Sequence, residues 1–196
     1  MPDGRTVNAL PYRPPPDGIF VPGVVVLRPG SAYTQQLLLN EWQEFALTGR
    51  YRVLLQIEPS PNACTGEGFS AVAVIEILPR DEPRLAEICN RLAGVAEAFN
   101  AGSAAAAAEG LSFTGDEACL GALVRVLKGD ARGRSWALTG LARIGTKEAV
   151  AAVAGEWHRF DEFDQAEALS AFVSNGKGDA LRAAVARDES KHSRPP

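Results

Sequence analysis

The sequence predicts an α+β chain of two segregated domains, an antiparallel β-sheet or partial sandwich followed by an α-solenoid of about three helical hairpins. Three observations carry this expectation. Eleven of the 13 prolines fall in residues 1–83, whereas 26 of the 32 alanines fall after residue 80. Short apolar segments bounded by Pro and Gly fill residues 19–79, which is the strand-and-turn signature. Beyond Pro79 the apolar spacing becomes helical, and the chain aligns with itself at offsets of 30 and 31 residues. At 196 residues, 46% hydrophobic and 22% charged, the chain can bury a core, and its composition excludes collagen, coiled coil, wholesale disorder and a disulfide miniprotein. The net charge of −4 excludes only partners that require a strongly basic binder.

Residues 1–18 form an irregular Pro-rich N-terminal segment that contains Pro14-Pro15-Pro16, and residues 19–80 form the β domain. Its first strand candidate, residues 19–27, is interrupted at Pro22-Gly23 and closed by Arg28-Pro29-Gly30, where Pro presets φ and Gly permits the positive φ of a type II turn. A second candidate spans residues 32–39. The clearest strand follows Thr48-Gly49, because Tyr51, Val53, Leu55 and Ile57 alternate at period two and should face one core. Residues 59–68 read as a loop on the strength of Pro59, Pro61, Asn62, Gly66 and Gly68, and residues 69–78 read as the strand that returns to pair with Tyr51 and its neighbours. The links are short, so antiparallel pairing is expected.

The run Leu27-Arg28-Pro29-Gly30, a strand, then Leu47-Thr48-Gly49-Arg50-Tyr51-Arg52-Val53 resembles the later strands of bacterial immunoglobulin-like sandwiches over about 60 residues. The resemblance implies a sandwich of about seven strands over about 100 residues, so the early strands are missing. Three explanations follow, in order: the chain is a piece of a longer parent, residues 5–18 supply an irregular edge, or another molecule completes the sheet by strand addition.

Residues 81–187 are the helical domain. Leu85, Ile88, Leu92 and Val95 line one face of a helix over residues 83–99, with Pro83 in its first turn, where a missing N–H costs nothing. The self-alignment superposes Ala107, Ala137 and Ala168, then Leu111, Leu141 and Phe172, then Gly115, Gly145 and Gly176, then Leu120, Val150 and Leu181. Each unit reads as two helices joined at a glycine that takes the left-handed C-terminal conformation. The hairpins pair residues 103–111 with 116–127, 134–144 with 147–157, and 164–173 with 178–186. Stacking buries faces that a single hairpin would leave open. Residues 188–196, ending Arg194-Pro195-Pro196, are expected to be a disordered tail.

The stretch Arg134-x-x-Ala137-Leu138-x-x-Leu141-Ala142-Arg143-Ile144-Gly145-x-x-Glu148-Ala149-Val150, preceded by Asp130, resembles the HEAT-like repeats of the short bacterial, phycobilisome-lyase type, across residues 104–187. Gly133 stands where that family favours Val, and Gln165 where its third repeat would carry Arg. The resemblance implies a scaffold for protein contacts, and fold alone gives no function.

Catalytic chemistry has few candidates. His158 and His192 are the histidines, and His192 lies in the tail. His158 neighbours Glu156, Asp161, Glu162 and Asp164, but consecutive positions at a helix end point apart, so a cap from Asp161 or Asp164 with solvated Glu156 and His158 is the preferred reading over a metal site. Cys64, Cys89 and Cys119 are odd in number and lack CxxC spacing, which fits neither a disulfide framework nor a zinc knuckle, so they read as small buried or loop residues. Neither a phosphate loop nor a dinucleotide fingerprint is present. Trp136 and Trp157 read as packing residues between hairpins, and Trp42 as a cover for the sandwich core or a sugar platform. Arg125, Arg132, Arg134 and Arg143, with Lys128, form the densest basic run and are the candidate partner surface; because residues 81–196 hold 14 basic against 17 acidic residues, this is one face of a mixed surface and not a nucleic-acid site.

The expectation is therefore a non-enzymatic protein-protein interaction or scaffold protein with no catalytic, cofactor or metal residues. The alternatives are a lyase-type or other enzyme accessory protein, and carbohydrate or cell-envelope binding through the β domain. No apolar run spans a bilayer, and the polar N-terminus lacks a secretory signal, so the default compartment is the cytoplasm unless an exported parent carries the chain.

Overall fold

A computed structural model describes residues 39, 45, 47–57, 69–98, 101–129 and 131–192. The chain divides into two units between Arg80 and Asp81. Among the described residues the protein is mostly helical, with seven α-helices and one two-stranded antiparallel sheet.

The sheet pairs β1 (Gly49–Ile57) with β2 (Phe69–Ile77). Its register runs from Gly49 opposite Ile77 to Ile57 opposite Phe69, with Tyr51 opposite Ile75 and Val53 opposite Ala73. Strands rich in Val, Ile, Leu and Tyr suit this pleated geometry. Tyr51 is buried, its ring meets Phe45 edge-on at a centroid distance of 5.0 Å, and its hydroxyl donates to the Leu47 carbonyl at 2.7 Å. The expected alternation holds at Tyr51 and fades along the strand: Val53 is half-buried, but Leu55 is exposed. On the opposite face Leu54, Val72 and Val74 are exposed as well. Of the two earlier strand candidates, residues 19–27 and 32–38 lie outside the described residues, and Leu39, the last residue of the second, is helical.

The helical unit opens with α1 (Glu82–Ala96), where the Asp81 carboxylate accepts from the Arg84 amide at 3.1 Å and Pro83 sits in the first turn as expected. The face that α1 buries is not the expected one. Cys89 and Ala93 are fully buried, Leu85, Ile88 and Leu92 are only half-buried, and Val95 is exposed. The reason is covalent: Cys89 is joined to Cys119 across 30 residues, with 5.3 Å between their Cα atoms, inside the span that a disulfide bridges. That corrects the expectation of unpaired cysteines. The bond faces Cys89 inward, and the large apolar residues lie on one flank of it.

Next come α2 (Ala101–Ser112), a short 3-10 turn (Glu117–Cys119) running into α3 (Leu120–Lys128), α4 (Ala131–Ile144), α5 (Lys147–Glu156), a second 3-10 turn (Trp157–Arg159), α6 (Glu162–Ser174) and α7 (Gly178–His192). Caps define the starts: Asp116 accepts from the Ala118 amide, Thr146 from Ala149 and Asp161 from Asp164. α7 continues to His192, through residues assigned from sequence to the tail, and the Arg187 and Ser190 side chains hydrogen-bond backbone carbonyls within it.

Packing follows the sequence period. α2 packs on α4 and α4 on α6, while α3 packs on α5 and α5 on α7; α1 covers α2 and α3. The self-aligned columns occupy equivalent places. Leu111, Leu141 and Phe172 are each completely buried, and Ala107, Ala137 and Ala168 are buried too. Gly115, Gly145 and Gly176 bend the chain at φ of 59°, 61° and 70°, the left-handed region where a Cβ is strained. Gly140 serves differently, since a Cβ there would come within 2.7 Å of Leu123 Cδ2 and 3.0 Å of the Ser112 Cα. Its absence lets α4 approach both neighbours closely.

Candidate functional site

The basic run of the sequence is distributed over two helices. Arg125 projects from the last turn of α3 and bonds Glu97 at 2.6 Å and Asn90 at 3.5 Å, which ties α3 to the end of α1. Arg143, near the end of α4, places its guanidinium 4.0 Å from the centroid of the Phe113 ring, a cation–π contact across the junction with α2. Arg132 lies in α4, and its side chain is outside the described residues. Lys128 pairs with Glu156 at 3.7 Å, and Arg159 binds the other oxygen of the same carboxylate at 2.6 Å. Glu156 is therefore a half-buried acceptor between two cations, where the sequence suggested a solvated residue. The structure thus uses Arg125, Arg134 and Arg143 in contacts that join helices or the segments beside them.

Arg134 is the most deeply engaged. Its guanidinium donates to the Asp164 carboxylate, and their side chains are 15% and 7% exposed. A second contact reaches the Gly129 carbonyl at 3.4 Å, and the Phe160 ring centroid lies 5.7 Å away. One residue on, the Ser135 hydroxyl donates to Glu167. Arg134 with Asp164 and Ser135 with Glu167 are separated by 30 and 32 residues, so this strip links equivalent ends of consecutive hairpins, α4 to α6. Asp164 could not have been chosen from sequence as a partner of Arg134 without the period, because its immediate surroundings also offer Asp161 and Glu162. Asp161 instead holds the helix N-terminus, accepting from the Asp164 amide at 2.8 Å.

The outer side of α6 has the opposite character. Phe163, Ala166, Ser170 and Val173 recur at three- and four-residue spacing along one face, and Phe163 and Val173 are 71% and 52% exposed. The buried face of the same helix carries Asp164, Ala168 and Phe172. Trp136 and Trp157 are half-buried and pack against the core, and His158 is exposed in the second 3-10 turn. Cys64 and Trp42 lie outside the described residues. Among the described residues, no group of three or more His, Cys, Asp or Glu is placed to hold a metal ion, and no helix is long and apolar enough to cross a membrane.

Among the described residues these features define a mostly helical arrangement whose hairpins are linked by internal ion pairs, with a small antiparallel sheet ahead of them in sequence. Comparison with protein-family models, with curated proteins and with solved structures finds no match to the chain.

Proposed function

We propose that the chain is a non-enzymatic scaffold that binds another protein, its helical unit a HEAT-like α-solenoid of three hairpins and its β unit part of an immunoglobulin-like sandwich. The observation that carries this reading is the equivalence of the three glycine bends, each at positive φ and each 30 or 31 residues from the next. A helical array built on such a repeat presents an extended surface, which is what solenoids use for binding. For the β unit, support comes from Tyr51, whose hydroxyl bonds a carbonyl four residues upstream in the manner of the tyrosine corner of immunoglobulin-like domains.

The test is affinity capture by the full chain, combined with cross-linking and a matched surface variant. Phe163→Asp with Val173→Asp alters the largest exposed apolar side chains on α6 and leaves its core face untouched. The expected result is one protein retained at fixed stoichiometry, cross-linked to residues within 101–192 and lost from the variant, whose melting temperature is unchanged. Absence of a stoichiometric protein, or cross-links confined to the β unit, refutes the reading.

A further inference from the structure

α1 is fastened differently from every other helix of its unit. Its only fully buried side chains are Cys89 and Ala93, both small, whereas α3, α4 and α6 bury Leu123 and Leu127, Leu138 and Leu141, and Phe172. Around them Leu85, Leu92 and Ala96 pack partly buried against the core, and Arg125 reaches from α3 to Asn90 and Glu97; the Arg125–Glu97 side chains are 48% and 36% exposed and so are screened by salt. A 15-residue helix is marginal by itself, so α1 depends on what holds it to α2 and α3. The Cys89–Cys119 bond is the one contact that does not depend on packing. It joins α1 to the turn that leads into α3, and both cysteines are completely buried.

We propose that the Cys89–Cys119 disulfide is a redox latch on α1: oxidised, it clamps α1 over α2 and α3; reduced, it lets α1 open locally while the later hairpins stay folded. The chemistry is thiol–disulfide exchange with a dithiol. One thiolate of the dithiol attacks a cysteine sulfur and forms a mixed disulfide, releasing the other cysteine as a thiolate that takes a proton. The second thiol of the reagent then displaces the first cysteine, so two electrons and two protons end on Cys89 and Cys119, and the dithiol leaves as its cyclic disulfide. Closing the latch reverses this, with glutathione disulfide accepting the two electrons and leaving as two glutathione thiols. Because both sulfurs are buried, exchange has to wait for α1 to lift, and α1, once freed, is no longer held near Cys119 by a covalent bond. The same helix follows β2 after only four residues, Leu78 to Asp81, so the latch governs the first helical element after the sheet. Disulfides of this kind persist in oxidising compartments, and in a reducing one the open form would dominate.

The experiment uses the full chain carrying Cys64→Ser, folded with glutathione and glutathione disulfide, and then compared before and after dithiothreitol. Thiol titration under denaturing conditions should find no free thiol in the oxidised protein and two after reduction. Hydrogen exchange should show α1 amides exchanging up to about 500-fold faster after reduction, the scale set by the entropy of closing a loop of this length, with protection of α4, α5 and α6 retained. The Cys89→Ala/Cys119→Ala variant should match the reduced protein. Two free thiols after oxidative folding, equal α1 protection in the two states, or loss of protection throughout the helical unit on reduction would each overturn the proposal. A double-alanine variant that fails to fold belongs with the last of these.

Discussion

The Arg134–Asp164 contact gives the sharpest test of how the hairpins are held together. Both side chains are largely withdrawn from water, at 15% and 7% exposure, so neither charge can be left alone cheaply. Arg134→Met removes the cation and leaves a buried carboxylate unpaired, and Asp164→Leu leaves a buried guanidinium in the same position. Each single change should destabilise the helical unit by about 3–5 kcal/mol. Replacing both partners with apolar groups of similar volume should cost far less, because the desolvation of both ions is removed along with their attraction; about 0–1 kcal/mol is expected. The coupling energy of the cycle is then about 5 kcal/mol or more. Urea unfolding followed by circular dichroism at 222 nm reads all four proteins, and for a unit of this size a loss of 3 kcal/mol corresponds to roughly 12 °C in melting temperature. If either single variant loses less than about 1 kcal/mol, or if the double variant is as unstable as the sum of the singles, the pair is not the buried clamp between α4 and α6 described above.

Two further outcomes depend on geometry elsewhere. Gly140→Ala should destabilise by about 1–3 kcal/mol, since the new Cβ would come within 3.0 Å of the Ser112 backbone, which cannot swing aside, whereas Gly94→Ala in α1 meets nothing within 4 Å and should stabilise by about 0.5–1 kcal/mol; thermal melts of the two variants should move in opposite directions. Tyr51→Phe removes the hydroxyl that bonds the Leu47 carbonyl and should cost about 1 kcal/mol, read as faster amide exchange in β1 with no change in α4 to α7.

The two strands of the hairpin and the three helical pairs were legible because each rests on a periodic signal. Alternation from Tyr51 to Ile57 marked β1, and the spacing of Leu111, Leu141 and Phe172 put three equivalent core positions on three helices. Glycine was legible at Gly115, Gly145 and Gly176 because a bend at positive φ strongly prefers that residue. Gly140 was not, since a helical glycine chosen for close approach looks in sequence like a weak helix position. The roles of the individual arginines were not legible for a related reason: a guanidinium looks the same in sequence whether it stacks on Phe113, bonds Asp164 or faces solvent.

The cysteine pair shows where the period itself held information that motif spacing hid. Cys89 and Cys119 are 30 residues apart, one repeat, and the next step along the same offset reaches Ala149, which is also completely buried. α1 thus places a buried residue in the register of the turn before α3 and of α5, and like α5 it carries no fully buried leucine. Read for disulfide frameworks or metal knuckles, the cysteines have no pattern; read against the repeat, Cys89 and Cys119 fall one period apart. Cys89 and Cys119 face each other across that repeat, and two cysteines so placed need only oxidation to become a bond. The helix whose only fully buried side chains are small is the one that carries it, which is why reduction should be felt first at α1.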